Sequence, residues 1–514
     1  MNSSGQTGRA GQAERAASDA GPEPGALPHV VIVGGGISGL AAAFFLRGAP
    51  ARVTVLEGSP RLGGKLAVSE VAGTAVDEGA EALLTRRPEG LDLISDVGLG
   101  DQLVTPGTTS SAIWTREAMR PPPLRQFMGV PADLDDLARS GVLSAEGLAR
   151  ARQDLDLPPT ERDGDTAVAA YVGARFGPEL VERLVDPLLG GVYAGRSENL
   201  SFEATLAPLA AASRSHRSLA EAAQSLLPAP PGPAPAAGRS EPGAAPAGRP
   251  PVFATLAGGL GTLPATVAAT SGAVIRTRSA VRELSRTATG WRLVAGSAAA
   301  PEEIHADAVV LALPARPAAR LLAGVAGAPA AALASIDYAS MAIVTLAYPR
   351  SQFPAAQDRS RSGYLVPAVD GHAVKAVTFS TIKWPHLIGS AGAGRDGPVD
   401  VIRCSVGRIG EESLLQRADD ELAALAAAEL AQATGARGKP VDARITRWGG
   451  GLPQYTVGHL DRVAAIRAGV AAEPGLAVCG AAYDGVGIPA CVATARTAAG
   501  QVISYLQARL QPRA

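Results

Sequence analysis

HVVIVGGGISGLAAAFFLR, residues His29 to Arg47, is the stretch whose reading decides the fold. A run of branched apolar residues, Val30 to Val33, breaks into glycines and then into an Ala/Leu/Phe stretch of helical character, so a buried strand, a tight turn and a helix are expected in that order. Gly34, Gly36 and Gly39 fill the pattern G-x-G-x-x-G, where they serve the turn, the close approach of a diphosphate to the backbone, and close packing of helix on strand. Gly35, Ile37 and Ser38 complete the loop. The first helical N–H groups then point at the anion, as the positive end of the helix dipole favours. A second strand, Arg52 to Leu56, ends at Glu57, about 20 residues further on, where the dinucleotide fold places an acceptor for ribose hydroxyls. In a chain with 60 glycines the pattern alone arises by chance. The strand before it, the helix after it and the acid downstream together indicate a dinucleotide site.

At 514 residues there is length for two or three domains, each with its own core. A net charge of -1 gives no electrostatic footprint for nucleic acid. Three widely spaced cysteines, Cys404, Cys479 and Cys491, make neither a disulfide framework nor a zinc motif, and six scattered histidines add no metal site. The cysteine usage suits a reducing, cytoplasmic compartment. The apolar run from Val30 to Leu46 is interrupted by Gly34 to Gly36, Ser38 and Gly39, so it reads as neither a signal-peptide core nor a membrane span. No transmembrane segment is expected, and peripheral contact with the inner face of the cell membrane remains open.

The chain divides by composition. Residues 1–28 read as a disordered tail and 29–90 as the first part of the dinucleotide-binding domain. Residues 91–226 are mainly helical (Leu91 to Val97, Asp133 to Ala149, Ala167 to Leu189), a domain facing substrate or membrane. The Pro/Ala/Gly-rich residues 227–251 form a linker. Residues 252–315 return to the dinucleotide domain, with Ala273 to Arg278, Ala280 to Leu284 and Trp291 to Val294 as antiparallel strands before Ala306 to Pro314. Residues 316–440 carry a substrate-binding sheet, and 441–510 complete the first domain. The fold class is α/β: a discontinuous Rossmann-like domain, a mixed α+β substrate domain and a helical insertion.

Beyond Glu57, the string Gly58 to Lys65 (GSPRLGGK) resembles the R-x-G-G motif of the FAD-dependent amine-oxidase and porphyrinogen-oxidase superfamily, with Arg61, Gly64 and Lys65 along the flavin's diphosphate and ribityl chain. The resemblance moves the cofactor from a nicotinamide to non-covalent FAD. AVDEGAEA, Ala75 to Ala82, is similar to the superfamily's segment beside the isoalloxazine, which implies Gly79, Ala80, Glu81 and Ala82. It also implies backbone beside the adenine at Val281, Trp448 at the ring edge, and Val486, Gly487 and Ile488 at the start of a helix whose dipole stabilises the reduced ring. VDPLLGGVYAG (Val185 to Gly195), SHRSL (Ser215 to Leu219), TIKWPH (Thr381 to His386), TRW with LPQYTVGH (Thr446 to His459) and GAAYDGVGIPACVA (Gly480 to Ala493) resemble the porphyrinogen oxidases, and among them the coproporphyrin-forming bacterial branch.

That resemblance implies oxidation of a porphyrinogen to the porphyrin with dioxygen, releasing hydrogen peroxide, in haem biosynthesis, with transient hand-over to a ferrochelatase. Arg86 and Arg87 stand where relatives often carry a lysine. They are the candidates for gripping substrate carboxylates, since guanidinium forks pair bidentately with them. Arg214 and Arg217 lie in a segment that would border the same cavity. No nucleophile or proton acceptor is assigned. The competing readings are a protoporphyrinogen oxidase, a flavin amine oxidase with Trp448 and Tyr483 facing each other across the ring, a catalytically silent FAD scaffold, and a nicotinamide dehydrogenase.

Overall fold

The computed structural model describes residues 27–160, 162–228, 251–354, 359–389 and 398–511. Most of the expected tail and of the expected linker lies outside the described residues. The strand His29–Val33 is central in a parallel five-stranded sheet whose order is Val274–Arg276, Arg52–Leu56, His29–Val33, Ala308–Leu311, Leu476–Val478. Both faces of that sheet are covered, which is why its strands read as continuous apolar runs. Val30 and Ile32 pack with the helix Ile37–Leu46 and the final helix Ile488–Leu510. Val31 and Val33 pack on the other face with Trp291, Leu322 and Ile466. Five separated chain segments thus make one sheet, and the discontinuous α/β domain is observed as expected.

Three expectations change. Val274–Arg276 pairs parallel with Arg52–Leu56 and belongs to the central sheet; the antiparallel meander is Val281–Arg286, Trp291–Ser297 and Ala300–Ala306. The helix expected from Asp133 to Ala149 is two, Leu134–Ser140 and Ala145–Arg152, because Gly141 takes a left-handed conformation and Ser144 caps a new start. Likewise, Gly177 at φ 90° stops the helix Val168–Phe176, and Pro178 opens the next.

A second sheet of seven strands runs in the order Asp442–Pro453, Tyr338–Pro349, Val399–Val406, Val374–Phe379, Gly363–Leu365, Ser111–Thr115, Ala118–Arg120. Its outermost strands come from segments that the sequence reading put outside the 316–440 sheet. The helix Asp419–Thr434 packs on one face through Leu422, Ala426 and Leu430. The opposite face meets the dinucleotide domain, where Ala347 and Val401 pack on Val71 and Val76. A third core, built on Leu137, Phe176, Leu184 and Phe202, holds the helical part together.

Candidate active site

The central sheet presents the carboxyl ends of its strands to one edge, where α/β folds bind ligands. Two helices start there. Gly36 caps the helix Ile37–Leu46 and Gly487 the 23-residue helix Ile488–Leu510, and neither cap has a side-chain hydrogen bond. The uncapped N–H groups and both dipoles therefore face one region, an anion site made by backbone alone. The helices pack against each other in a single core.

The R-x-G-G turn lies against the fingerprint. Gly63 N–H donates to Gly35 O at 2.8 Å, and Gly36 and Gly63 form an isolated bridge. Arg61 braces the turn by donating to Gly64 O at 2.7 Å, and its guanidinium sits 5.8 Å from the centre of the Trp448 ring. Glu57 ends its strand with one carboxylate oxygen accepting from Gly35 N and the other from Ser59 N, each at 2.7 Å. Each oxygen keeps a lone pair for a further donor. Burial holds the Lys65 amine below its ordinary range.

Two glycines of the fingerprint differ in what surrounds them. A Cβ on Gly39 would lie 1.9 Å from Gly34 O, so this glycine serves close packing. A Cβ on Gly36 would meet no protein atom within 4 Å, so what requires glycine there is not the protein. Open space in front of an uncapped helix, with a two-oxygen acceptor at the next strand end, fits a dinucleotide diphosphate and ribose.

The segment Gly79 to Ala82 crosses between the two sheets. Trp448 Nε1 donates to Glu78 O at 2.9 Å, and Arg403, from the seven-stranded sheet, donates to Gly79 O at 2.7 Å. The Glu81 carboxylate bridges Lys383 at 2.6 Å and Arg403 at 2.5 Å. Burial alone would raise its pKa, but the charges of Lys383 and Arg403, with their hydrogen bonds, hold it down to about 2. Asp77 was missed: its carboxylate caps the turn after Phe253–Leu256 by accepting from Leu260 N at 3.0 Å and Gly261 N at 2.9 Å. Burial pushes its pKa up to about 6 against those two hydrogen bonds. The acid of AVDEGAEA was visible in the sequence, but nothing local marked Arg403 or the Gly258-Gly259 turn as its surroundings.

Arg87 lies beside the loop that leads into the final helix. Its guanidinium is half exposed, pairs with Glu89 at 3.1 Å and approaches to 3.9 Å the place a Cβ on Gly485 would occupy. Arg86 is exposed beside it. Val281 opens its strand two residues after Ser279, whose N–H bonds to Glu57 O at 2.8 Å. Val486 packs on the helical core, while Ile488 is buried beneath the final helix's first turn.

Arg214 pairs with Glu203 at 2.7 Å and Arg217 donates to Asp156 O at 2.8 Å; both line a separate cleft of about 810 Å³ with Arg162, Asp165 and His216. No residue of the glycine fingerprint or of the R-x-G-G turn lines that cleft. Tyr483 is buried in the core with Trp291, whereas Trp448 donates to Glu78 O. Burial raises the pKa of the Cys479 and Cys491 thiols, and both are free. Among the described residues no group of His, Cys, Asp and Glu could hold a metal ion, and no helix is long and apolar enough to cross a membrane.

Comparison with known proteins agrees with this fold. The model of the flavin containing amine oxidoreductase family matches residues 37–503. The coproporphyrinogen III oxidase of Mycobacterium tuberculosis (strain ATCC 25618 / H37Rv) is 37% identical over 490 residues, 93% of this chain and 98% of that protein. That of Bacillus subtilis (strain 168) is 30% identical, covering 93% and 98%. A crystal structure assigned as a protoporphyrinogen oxidase from Exiguobacterium sp. 255-15 superposes with a TM-score of 0.79 at 31% identity, covering 93% of this chain and 99% of that one. The chain belongs to the flavin-containing amine oxidoreductase family and is an FAD-dependent oxidoreductase.

Proposed function

We propose that the chain oxidises coproporphyrinogen III to coproporphyrin III with dioxygen, releasing hydrogen peroxide, as a step of haem biosynthesis. The observation that carries this is the end-to-end likeness to proteins named coproporphyrinogen III oxidase. Bound FAD supplies the two-electron acceptor and its reoxidation by dioxygen. The chain's own residues do the rest. The backbone N–H groups after Gly36 hold the diphosphate, Glu57 takes the ribose hydroxyls, and Arg61, Gly64 and Lys65 follow the cofactor from the turn. The helix capped by Gly487 would hold negative charge on the flavin through its positive end. Gly79 to Ala82, Trp448 and Val281 would hold the cofactor, and Arg86 and Arg87 would pair with substrate carboxylates. These contacts would fix the macrocycle's orientation and exclude water.

Arginine clamps suit a substrate with four propionates better than one with two. Protoporphyrinogen IX is the second reading, favoured by the Exiguobacterium structure. Presenting both porphyrinogens in one aerobic reaction gives the ratio of kcat/KM directly. A ratio favouring protoporphyrinogen overturns the substrate assignment, and FAD binding without peroxide formation from either would make the chain a silent scaffold. The reading carries with it a cytoplasmic location, peripheral contact with the inner face of the cell membrane and hand-over of product to a ferrochelatase.

A further inference from the structure

Where the dinucleotide domain meets the seven-stranded sheet, a small cavity is bordered by Asp77, Glu81, Thr255, Ser380, Trp384 and Arg403. Four polar atoms on these residues have no hydrogen-bond partner among the described residues: Thr255 Oγ1, Ser380 Oγ, Trp384 Nε1 and Arg403 Nε. None of the four residues is more than 7% exposed. Native folds leave few buried polar groups unpaired, because each gives up its hydration for nothing. Four around one space are a different matter, since a single ligand can satisfy them together.

We propose that this cavity is a site for one internal water molecule that joins the two domains and positions the segment from Gly79 to Ala82. Size sets the number. The cavity has about 20 Å³ of room for a water-sized sphere, and roughly 10–15 Å³ on that measure holds one water.

The chemistry of the wall matches a water's four hydrogen bonds. Trp384 Nε1–H and Arg403 Nε–H are donors only, and they fill its two lone pairs. Its two hydrogens go to the hydroxyl oxygens of Thr255 and Ser380. An anion would share the space with the carboxylates of Asp77 and Glu81, which together balance the charges of Arg403 and Lys383. A cation would face the Arg403 guanidinium and the Trp384 Nε1–H. A neutral ligand that both donates and accepts is what remains.

The consequence runs through Arg403. Its Nη1 holds Glu81 and its Nη2 holds Gly79 O. With Nε also engaged, all sides of the guanidinium fork are fixed. The water therefore sets the plane of the group that anchors the cofactor-facing segment.

The test is a crystal structure of the FAD-loaded protein at a resolution that shows ordered solvent, with Ser380→Val and Thr255→Val as variants that remove a hydroxyl and fill the space. One solvent peak within hydrogen-bond distance of at least three of the four orphaned atoms is expected. In either variant the peak disappears and the FAD dissociation constant, measured by flavin fluorescence, rises about tenfold. Either variant alone suffices if the other does not fold. An empty cavity in the unsubstituted protein, or an anomalous peak there after a bromide soak, overturns the water site. Loss of the water with unchanged FAD affinity overturns its positioning role.

Discussion

Gly36 and Gly39 stand three residues apart in one motif, and the structure expects opposite consequences from the same substitution. At Gly36 the backbone has φ -74° and ψ 175°, which any residue adopts, and a Cβ meets nothing within 4 Å. Gly36→Ala should therefore leave the apoprotein folded. The loss of a favourable cap residue costs about 0.5 to 1 kcal/mol, a shift of roughly 2 °C in a chain of this size. The added methyl instead occupies the space of the diphosphate and denies it one or two charge-assisted hydrogen bonds, about 1.5 to 3 kcal/mol each. The FAD dissociation constant should rise roughly 10- to 150-fold or more. Gly39→Ala places its Cβ 1.9 Å from Gly34 O. The helix Ile37–Leu46 must retreat by about 1.5 Å from a strand buried on both faces, and overpacking of that kind costs about 1 to 3 kcal/mol or more. Its apoprotein should melt clearly lower. The assay is thermal unfolding of both apoproteins, so that cofactor linkage does not enter, beside FAD titration followed by flavin fluorescence. Gly36→Ala binding FAD with unchanged affinity would refute the placement of the diphosphate, and Gly39→Ala with an unchanged apoprotein melting point would refute the packing role.

The adjacent arginines make a kinetic prediction: Arg86→Ala or Arg87→Ala should raise KM more than it lowers kcat, with kcat/KM down about tenfold, and unchanged steady-state kinetics for both would return them to solvated surface charges. Glu81 and Asp77 should pull the pH profile in opposite directions. Held down to about 2, Glu81 contributes stability that is complete above its unfolded value and lost as pH falls through about 2, so Glu81→Gln should flatten the melting temperature's acid limb below about pH 4.3. Pushed up to about 6, Asp77 weakens the fold as pH rises toward 6, and Asp77→Asn, which keeps an acceptor oxygen, should remove that slope; a slope left intact in either variant contradicts the assignment. The three cysteines are free and buried, so a thiol reagent should find none in the native protein and all three after denaturation, and acid precipitation should leave the flavin in the supernatant. Flavin carried down with the protein would show a covalent link.

Much of the parallel sheet and its ligand edge was legible in the chain, because its determinants are local. A run such as Val30 to Val33 is apolar on both faces, and glycine spacing marks where backbone must approach backbone or phosphate. Helix ends were legible only in part: Gly141 and Gly177 stop helices through left-handed or extended geometry, yet most of the chain's other glycines do nothing of the kind. The fate of charged side chains was not legible. Glu81 reads as a cofactor residue by its place in AVDEGAEA, and its ion-pair partners Lys383 and Arg403 come from a short helix and a strand some 300 residues away. Arg214 and Arg217 looked like substrate residues by composition, and folding gave their segment a cleft of its own. A buried charge goes where an opposite charge compensates its desolvation, and which charge that is depends on how distant segments are brought together. Local backbone geometry is written residue by residue in the sequence; the pairing of long side chains across two sheets is decided only when the sheets meet.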